Sequence, residues 1–432
     1  MQQGPVGMIT RISRFVMSDT RLFPVAALWS VMLAACSNST QRESATVVRD
    51  SADVEILEST EGQWTPDEAW EIVPEATLEI GVVEGEPEYM FSNVEGALLL
   101  ADGRIAVADR GSSQIRFYNR NGKYLGFVGG PGDGPGELGY IRGMGRCGAD
   151  SLYVFEIDFL TVVYAADGTY VREARPYPFN SRERLPYAMR CAENGYYVAV
   201  GWEDLSGPPT IGFYRAMAPA WILAPAHSGA SAGAEPIGQS GLVVAAELGT
   251  VLSSERIGRP TGSGPHPFGR AASFAIAPEA VYLGTGESFE VRRYTLEGRL
   301  ERIIRWRGFD LTISQEDIDA YRENQLAVTP ESRRPALERS LAEMPVPPAF
   351  PSFDRLEVDR DGNLWAEAFR RPIATDRSWT VLASDGALLG AVSVPPDLVI
   401  TDIGGDYVLG IATDELGIER IRLHAIRKPR SK

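Results

Sequence analysis

Residues 129–144 read GGPGDGPGELGYIRGM. Seven of these sixteen residues are glycine and two are proline, and Gly134, Gly136 and Gly139 carry the spacing G-x-G-x-x-G. Such a stretch is a cofactor cradle, a flexible linker or a piece of architecture. A dinucleotide cradle requires a helix directly after it, because the pyrophosphate sits on that helix's free N–H groups and positive dipole end. Residues 140–147, YIRGMGRC, carry no helical periodicity and read as a strand. No Lys-Ser/Thr follows, so a phosphate-binding P-loop fails too. The stretch is expected to connect the outer strand of one sheet to the inner strand of the next. Glycine supplies the positive φ of the bends, Leu138 plugs between neighbouring sheets, and Glu137 caps backbone N–H groups.

The sequence around it has a grammar. In DGRIAVADRGSSQIRFYNRNGKYLG (102–126), Asp102-Gly103 opens an alternating strand, a polar loop follows, and Asn121-Gly122 turns a second strand into a third. Asn-Gly and Asp-Gly between alternating runs are strong hairpin signals. The pattern returns at 150–172, 279–302 and 361–390, in half at 405–423, and in worn form at 194–223. Preceding strands are expected at Tyr140–Cys147, Pro186–Cys191, Ala272–Ala277 and Arg355–Asp359. Six four-stranded units around a ring make an all-β, six-bladed β-propeller over 47–428. The sixth unit is one strand short, so Leu78–Val83 is expected to pair with the C-terminal strands and close the ring.

Residues 102–138 closely resemble one blade of the NHL-like six-bladed β-propellers, and the chain is similar to TolB-like and other propeller lipoproteins of bacteria at VVRDSADVEIL (47–57), LEIGVVEGEPEYMFSNV (78–94) and PFGRAASFAI (267–276). The resemblance implies architecture and is weak for activity. Calcium-dependent gluconolactonases share that architecture, so a metal-dependent hydrolase or lactonase is the alternative to a binding or scaffolding module.

The amino terminus reads as a targeting segment. Arg11, Arg14 and Arg21 precede an apolar run from Leu22 to Ala35, too short for a retained span of roughly 20 residues. Leu33-Ala34-Ala35-Cys36 resembles the lipobox of bacterial lipoproteins, which implies lipidation of Cys36 and membrane attachment facing the periplasm or exterior. Residues 1–35 are then a signal peptide and 36–46 a polar tether. Removing the signal deletes three arginines and one aspartate and takes the net charge from −16 to −18. Such acidity argues against a nucleic-acid partner. An unknown protein, peptide or glycan is the expected partner.

Long, dissimilar connections point to one working face. The segment 305–354 reads as a helical hairpin between the fourth and fifth units, with helices within about 312–344, either a lid over the channel or a rim element. It opens with a capping box at Ser314–Asp317. Arg142, Phe179, Arg182, Tyr187, Phe268, Arg270 and Phe353 lie in or beside the connections and are the candidate ligand residues, since Arg and aromatics commonly anchor ligands. Middle-loop acids, chiefly Asp109, Glu156, Glu203, Glu287 and Asp414, form a candidate collar for Ca²⁺, or pair with arginines instead. The sequence names no catalytic residue: the three histidines, His227, His266 and His424, show no readable triad. No other cofactor is expected. Cys147 and Cys191 occupy equivalent places in neighbouring units and are expected to be free thiols, because such strands usually stand further apart than the limit of about 7 Å for a bridge.

Overall fold

The structure is a computed structural model that describes residues 46–148, 151–157, 160–174, 186–201, 203, 211–225, 242–259 and 262–429. Its strands form six sheets, met in chain order, with antiparallel pairing inside each repeated unit. The first sheet is Val94–Leu99, Ile105–Asp109, Gln114–Tyr118 and Tyr124–Gly129, with turns at the two Gly dipeptides read from the sequence. The inner strands of the next four sheets are Ile141–Cys147, Pro186–Cys191, Ser273–Ala277 and Arg355–Val358, each within a residue or so of its expected place. The inner strand of the sixth sheet is Leu398–Ile403.

The hydrophobic cores lie between sheets. Strand alternation gives every sheet two apolar faces, and each face is buried against a neighbour. Leu98, Ile115 and Phe117 of the first sheet meet Ile141, Leu152 and Val162 of the second. Trp365, Trp379 and Val381 of the fifth meet Leu398, Ile400 and Val408 of the sixth. Leu409, Ile411 and Ile421 of the sixth return to Val94, Ile105 and Val107 of the first, so the ring closes. The arrangement is propeller-like.

Closure uses both chain ends. Leu78–Ile80 pairs antiparallel with Ile421–Leu423, which confirms the expected outer strand of the sixth sheet. The segment before it does more. Val54–Ser59 adds in parallel to the outer strand Leu300–Trp306 of the fourth sheet and carries Thr46–Ser51 as a hairpin partner. Gln63 and Trp64 donate to Leu388 and Leu389 at the edge of the fifth sheet. Glu71–Ile72 pairs with the last strand of the sixth. Residues 46–80 are therefore a belt along three consecutive outer edges. Trp64 lies where a Cβ at Gly390 would stand, 2.4 Å from its ring, so glycine is required there.

The opening stretch is architecture. Gly129 (φ 86°) and Gly136 (φ 77°) occupy the left-handed region. Leu138 donates its backbone N–H to Gly130 O at 2.8 Å and is fully buried between the first and second sheets. Glu137 accepts from Gly134 N–H at 2.8 Å. The device recurs. Phe268 and Phe353 are each 1% exposed just ahead of an inner strand, where Leu138 stands in its own connection.

Two sequence expectations change. Residues 225–270, whose Gly/Ala/Ser-rich composition reads as one of the long connections, hold a long strand, Leu242–Arg259, paired with Gly212–Pro225; Gly262–Pro265 extends that sheet. Its turn-like composition masks the apolar start Leu242–Val244 of that strand. Cys147 and Cys191 form a disulfide, with a Cα–Cα distance of 5.1 Å. The two inner strands converge at their ends, where Gly148 N–H donates to Ala192 O at 3.3 Å. Typical blade spacing was the wrong guide at that point.

Replacing Leu138 by Ala is expected to cost about 2–5 kcal/mol in denaturant unfolding, since it empties a sealed junction. Denatured, unreduced protein lacking residues 1–36 is expected to show no reactive thiol. Replacing both cysteines by Ser is expected to cost about 4 kcal/mol for a loop of this length.

Candidate functional site

The six inner strands surround a central cavity of about 910 Å³. Its described lining includes Gly96 and Leu98 from the first sheet and Arg142–Arg146 from the second. The later sheets contribute Met189–Glu193, Ala275–Glu279, Arg355, Glu357–Gly362 and Ile400–Ile403. The inner strands are short, and Gly96, Gly143 and Gly145 line the wall without side chains, so it keeps room. The cavity runs out to the turns at Ala192–Glu193, Pro278–Glu279 and Asp361–Gly362, where Glu193, Glu279 and Asp361 are exposed. Those turns follow the inner strands, at the opposite end of the ring from the connections between sheets. The cavity thus extends along the inner strands from Glu95, Arg142 and Arg355, beside the connections, to the turn end.

The wall is heavily charged and nearly balanced: Arg142, Arg146, Arg190, Arg293, Arg302, Arg355 and Arg360 line it, with eight carboxylates. Most are tied. Arg146 makes two contacts to Asp402, at 2.7 and 2.9 Å, and also donates to Leu99 O. Asp402 accepts as well from Leu99 N–H at 2.9 Å and the Tyr407 hydroxyl at 3.0 Å. This carboxylate thus clasps the sixth sheet to the first and second. Burial works against the charge on Arg146, and Asp402 more than offsets it, raising the guanidinium's pKa. Arg355 binds Glu367 at 3.1 Å and Ile400 O at 2.9 Å.

Of the seven expected ligand residues, only Arg142 lines this cavity among the described side chains. Phe268 packs edge-on to Tyr321 and Phe350, and Phe353 against Phe289. Both are junction plugs, buried because each connection needs an apolar residue to seal the next sheet. Arg270 donates its backbone N–H and its Nε to the buried Glu255, at 2.8 and 2.7 Å. Phe179, Arg182 and the Tyr187 side chain lie outside the described residues, as do Cys36 and His227.

The expected acidic collar is dispersed among local partners. Asp109 accepts from Ser92 N–H at 3.0 Å and pairs with Arg116 at 2.9 Å. Glu156 accepts from Gly139 N–H at 2.9 Å, so close that a Cβ on Gly139 would stand 2.9 Å from its carboxylate. Glu203 pairs with Arg256 at 2.8 Å, Glu287 with Arg215 at 3.3 Å and Asp414 with Arg420 at 2.8 Å. Among the described residues, no three His, Cys, Asp or Glu converge on one point. These donors do not fit a calcium site as they stand. Asp109 and Glu156 instead tie incoming connections to their sheets, a role their sequence positions do not distinguish from metal binding.

The helical insert is as expected in kind. It comprises α1 (Gln315–Ala327) and α2 (Arg334–Ala342), and the Ser314–Asp317 capping box is present. It docks on the rim of the third to fifth sheets. Asp317 is fully buried against Arg371, at 2.5 and 3.1 Å, and Ser352 N–H donates to Gly286 O at 3.0 Å. None of the cavity lining comes from 307–354, so the rim element describes the insert and the lid does not. Among the described residues, no helix is long and apolar enough to cross a membrane.

His266 fastens the insert's descending arm. Its Nδ1 accepts from Phe268 N–H at 2.9 Å, so in the neutral ring the proton is on Nε2, which donates to Pro345 O at 2.7 Å. His424 is buried, with Nδ1 beside Val73 O at 2.9 Å. Neither ring has a nucleophile beside it among the described contacts.

No protein-family model matches the chain, and no curated protein sequence does. Solved structures do. A putative exported protein from Bacteroides fragilis aligns at 13% identity and TM-score 0.45, over 87% of this chain and 100% of that one. A calcium-binding regucalcin from Agrobacterium tumefaciens aligns at 10% and 0.39, over 84% and 97%. A gluconolactonase from Xanthomonas campestris aligns at 12% and 0.39, over 82% and 99%. These likenesses are distant, and the fold rests on the chain's own strand pairing.

Burial lowers the His266 pKa, so the folded protein favours the neutral ring. The unfolded chain binds this proton first, at about pH 6.5, so the contribution is present above that pH and is lost as pH falls below it. Thermal unfolding from about pH 7.5 to 5.5 is expected to show this loss, and H266Q is expected to flatten it.

Proposed function

We propose that this protein is a six-bladed β-propeller, exported and held to a membrane through lipid on Cys36, that serves as a binding module with its ligand in the central channel. The observation that carries the reading is the cavity of about 910 Å³ walled by the inner strands of all six sheets. Sites of roughly 300–1,000 Å³ suit small molecules. The wall offers guanidinium groups on a rigid frame, the kind of surface that fixes a ligand's orientation.

A calcium-dependent hydrolase or lactonase is the second reading, since a calcium-binding regucalcin and a gluconolactonase are among the distant structural neighbours. Binding is preferred because the middle-loop carboxylates are engaged by arginines or backbone N–H groups. A calcium site needs several oxygens within about 2.3–2.6 Å of one ion.

Two measurements test this. The chelator-treated protein is expected to keep the same Tm when Ca²⁺ is added; a saturable rise would put the hydrolase reading first. In a bacterial host, Cys36→Ser is expected to move the protein from the membrane to the soluble envelope fraction. Unchanged membrane retention would remove the lipid anchor.

A further inference from the structure

We propose that the channel takes a small molecule bearing a carboxylate, and that this carboxylate docks on the guanidinium of Arg190. The proposal deepens, and rests on, the reading of the channel as the binding site.

Arg146 and Arg190 stand at equivalent places. Each precedes the cysteine near the end of its inner strand, and those cysteines are bonded to each other. Their surroundings differ. Arg146 is matched by Asp402 at hydrogen-bonding distance. Arg190 has Met189 O of its own strand at 3.3 Å, and its carboxylate neighbour, Glu357, is 4.0 Å away. That distance is too long for a hydrogen bond. Yet Arg190 lines the cavity with its side chain 47% exposed. Glu357 stands 3.9 Å from Arg355, which is already held by Glu367 and Ile400 O. Glu357 therefore sets the field around Arg190 without occupying its N–H fork.

A planar fork facing a cavity is matched by two parallel hydrogen bonds from one carboxylate. On the neighbouring inner strand, Gly143 lines the cavity where a Cβ would meet nothing within 4 Å, so the channel has open space at its wall. The class of ligand follows from the charge balance. Seven arginines face eight carboxylates in the lining, so a polyanion meets as much repulsion as attraction. One incompletely matched guanidinium suits one carboxylate. Tyr153, Phe155 and Tyr282 are nearly buried, so they offer little ring face for stacking a sugar.

Benzoate and its uncharged isostere benzamide test the assignment by saturation-transfer NMR and calorimetry on the full protein. Benzoate is expected to bind at least about tenfold tighter than benzamide, and R190Q to weaken benzoate by a similar factor. E357Q is expected to tighten it by removing a competing negative charge. R190Q and E357Q are first matched to the parent protein in Tm, since both side chains are partly exposed. Absent benzoate binding, equal affinity for the two probes, or R190Q binding as the parent does overturns the carboxylate proposal. G143W, at a lining position where a Cβ meets nothing within 4 Å, narrows the channel and separates the two levels. It too is first matched to the parent protein in Tm. If both probes bind equally and both are lost in G143W, the channel reading stands and the Arg190 assignment falls. If benzoate binding survives G143W unchanged, the channel reading itself falls.

Discussion

Closure of the ring is the constraint on which the rest depends. Each sheet hides its apolar faces only against neighbours, so an open array would leave two of them wet. Three short backbone pairings between Leu78–Ile80 and Ile421–Leu423 bring the chain ends together. Val94 N–H donating to Glu419 at 3.0 Å and Leu99 N–H donating to Asp402 reinforce the same seam. These bonds join residues more than three hundred positions apart, so they form late and gain their strength from the buried core beneath them. The cavity exists because that seam holds six inner strands at a fixed distance.

Much of the fold was legible because turns are local. Asp-Gly and Asn-Gly pairs specify hairpins through backbone geometry alone, and their recurrence at one phase gave the units and most inner strands. Where local chemistry was ambiguous, the reading stopped. Leu242–Arg259 sits in a Gly/Ala/Ser-rich setting that resembles a loop, and only tertiary pairing with Gly212–Pro225 makes it a strand. The belt of residues 46–80 was visible in part, but its parallel addition to Leu300–Trp306 has no local signature. The disulfide depended on how two strands converge, which spacing along the chain does not encode.

The site was harder to read for a related reason. Phe268 and Phe353 have the composition of ligand anchors and the position of plugs, and position decides. Asp109 and Glu156 look like metal ligands in a list of acids, yet each accepts a backbone N–H from the connection entering its own sheet. Such contacts satisfy backbone donors that a sharp bend would otherwise leave unpaired. Arg190 carried a faint signal: it shares its Arg-Cys dipeptide with Arg146. What separates the two is an acid on a distant strand, Asp402, that one reaches and the other does not.

The belt also gives the ring a handle with a direction. Thr46 pairs with Ser59, and Ser59 O accepts from Arg307 N–H at the start of the helical insert. The chain ahead of Thr46 therefore meets the ring at the end that bears the helices. The turns that frame the cavity lie at the other end. A pull on the chain ahead of Thr46 would load the outer edge of the fourth sheet, one strand pairing after another, and leave the inner strands that wall the cavity out of its path.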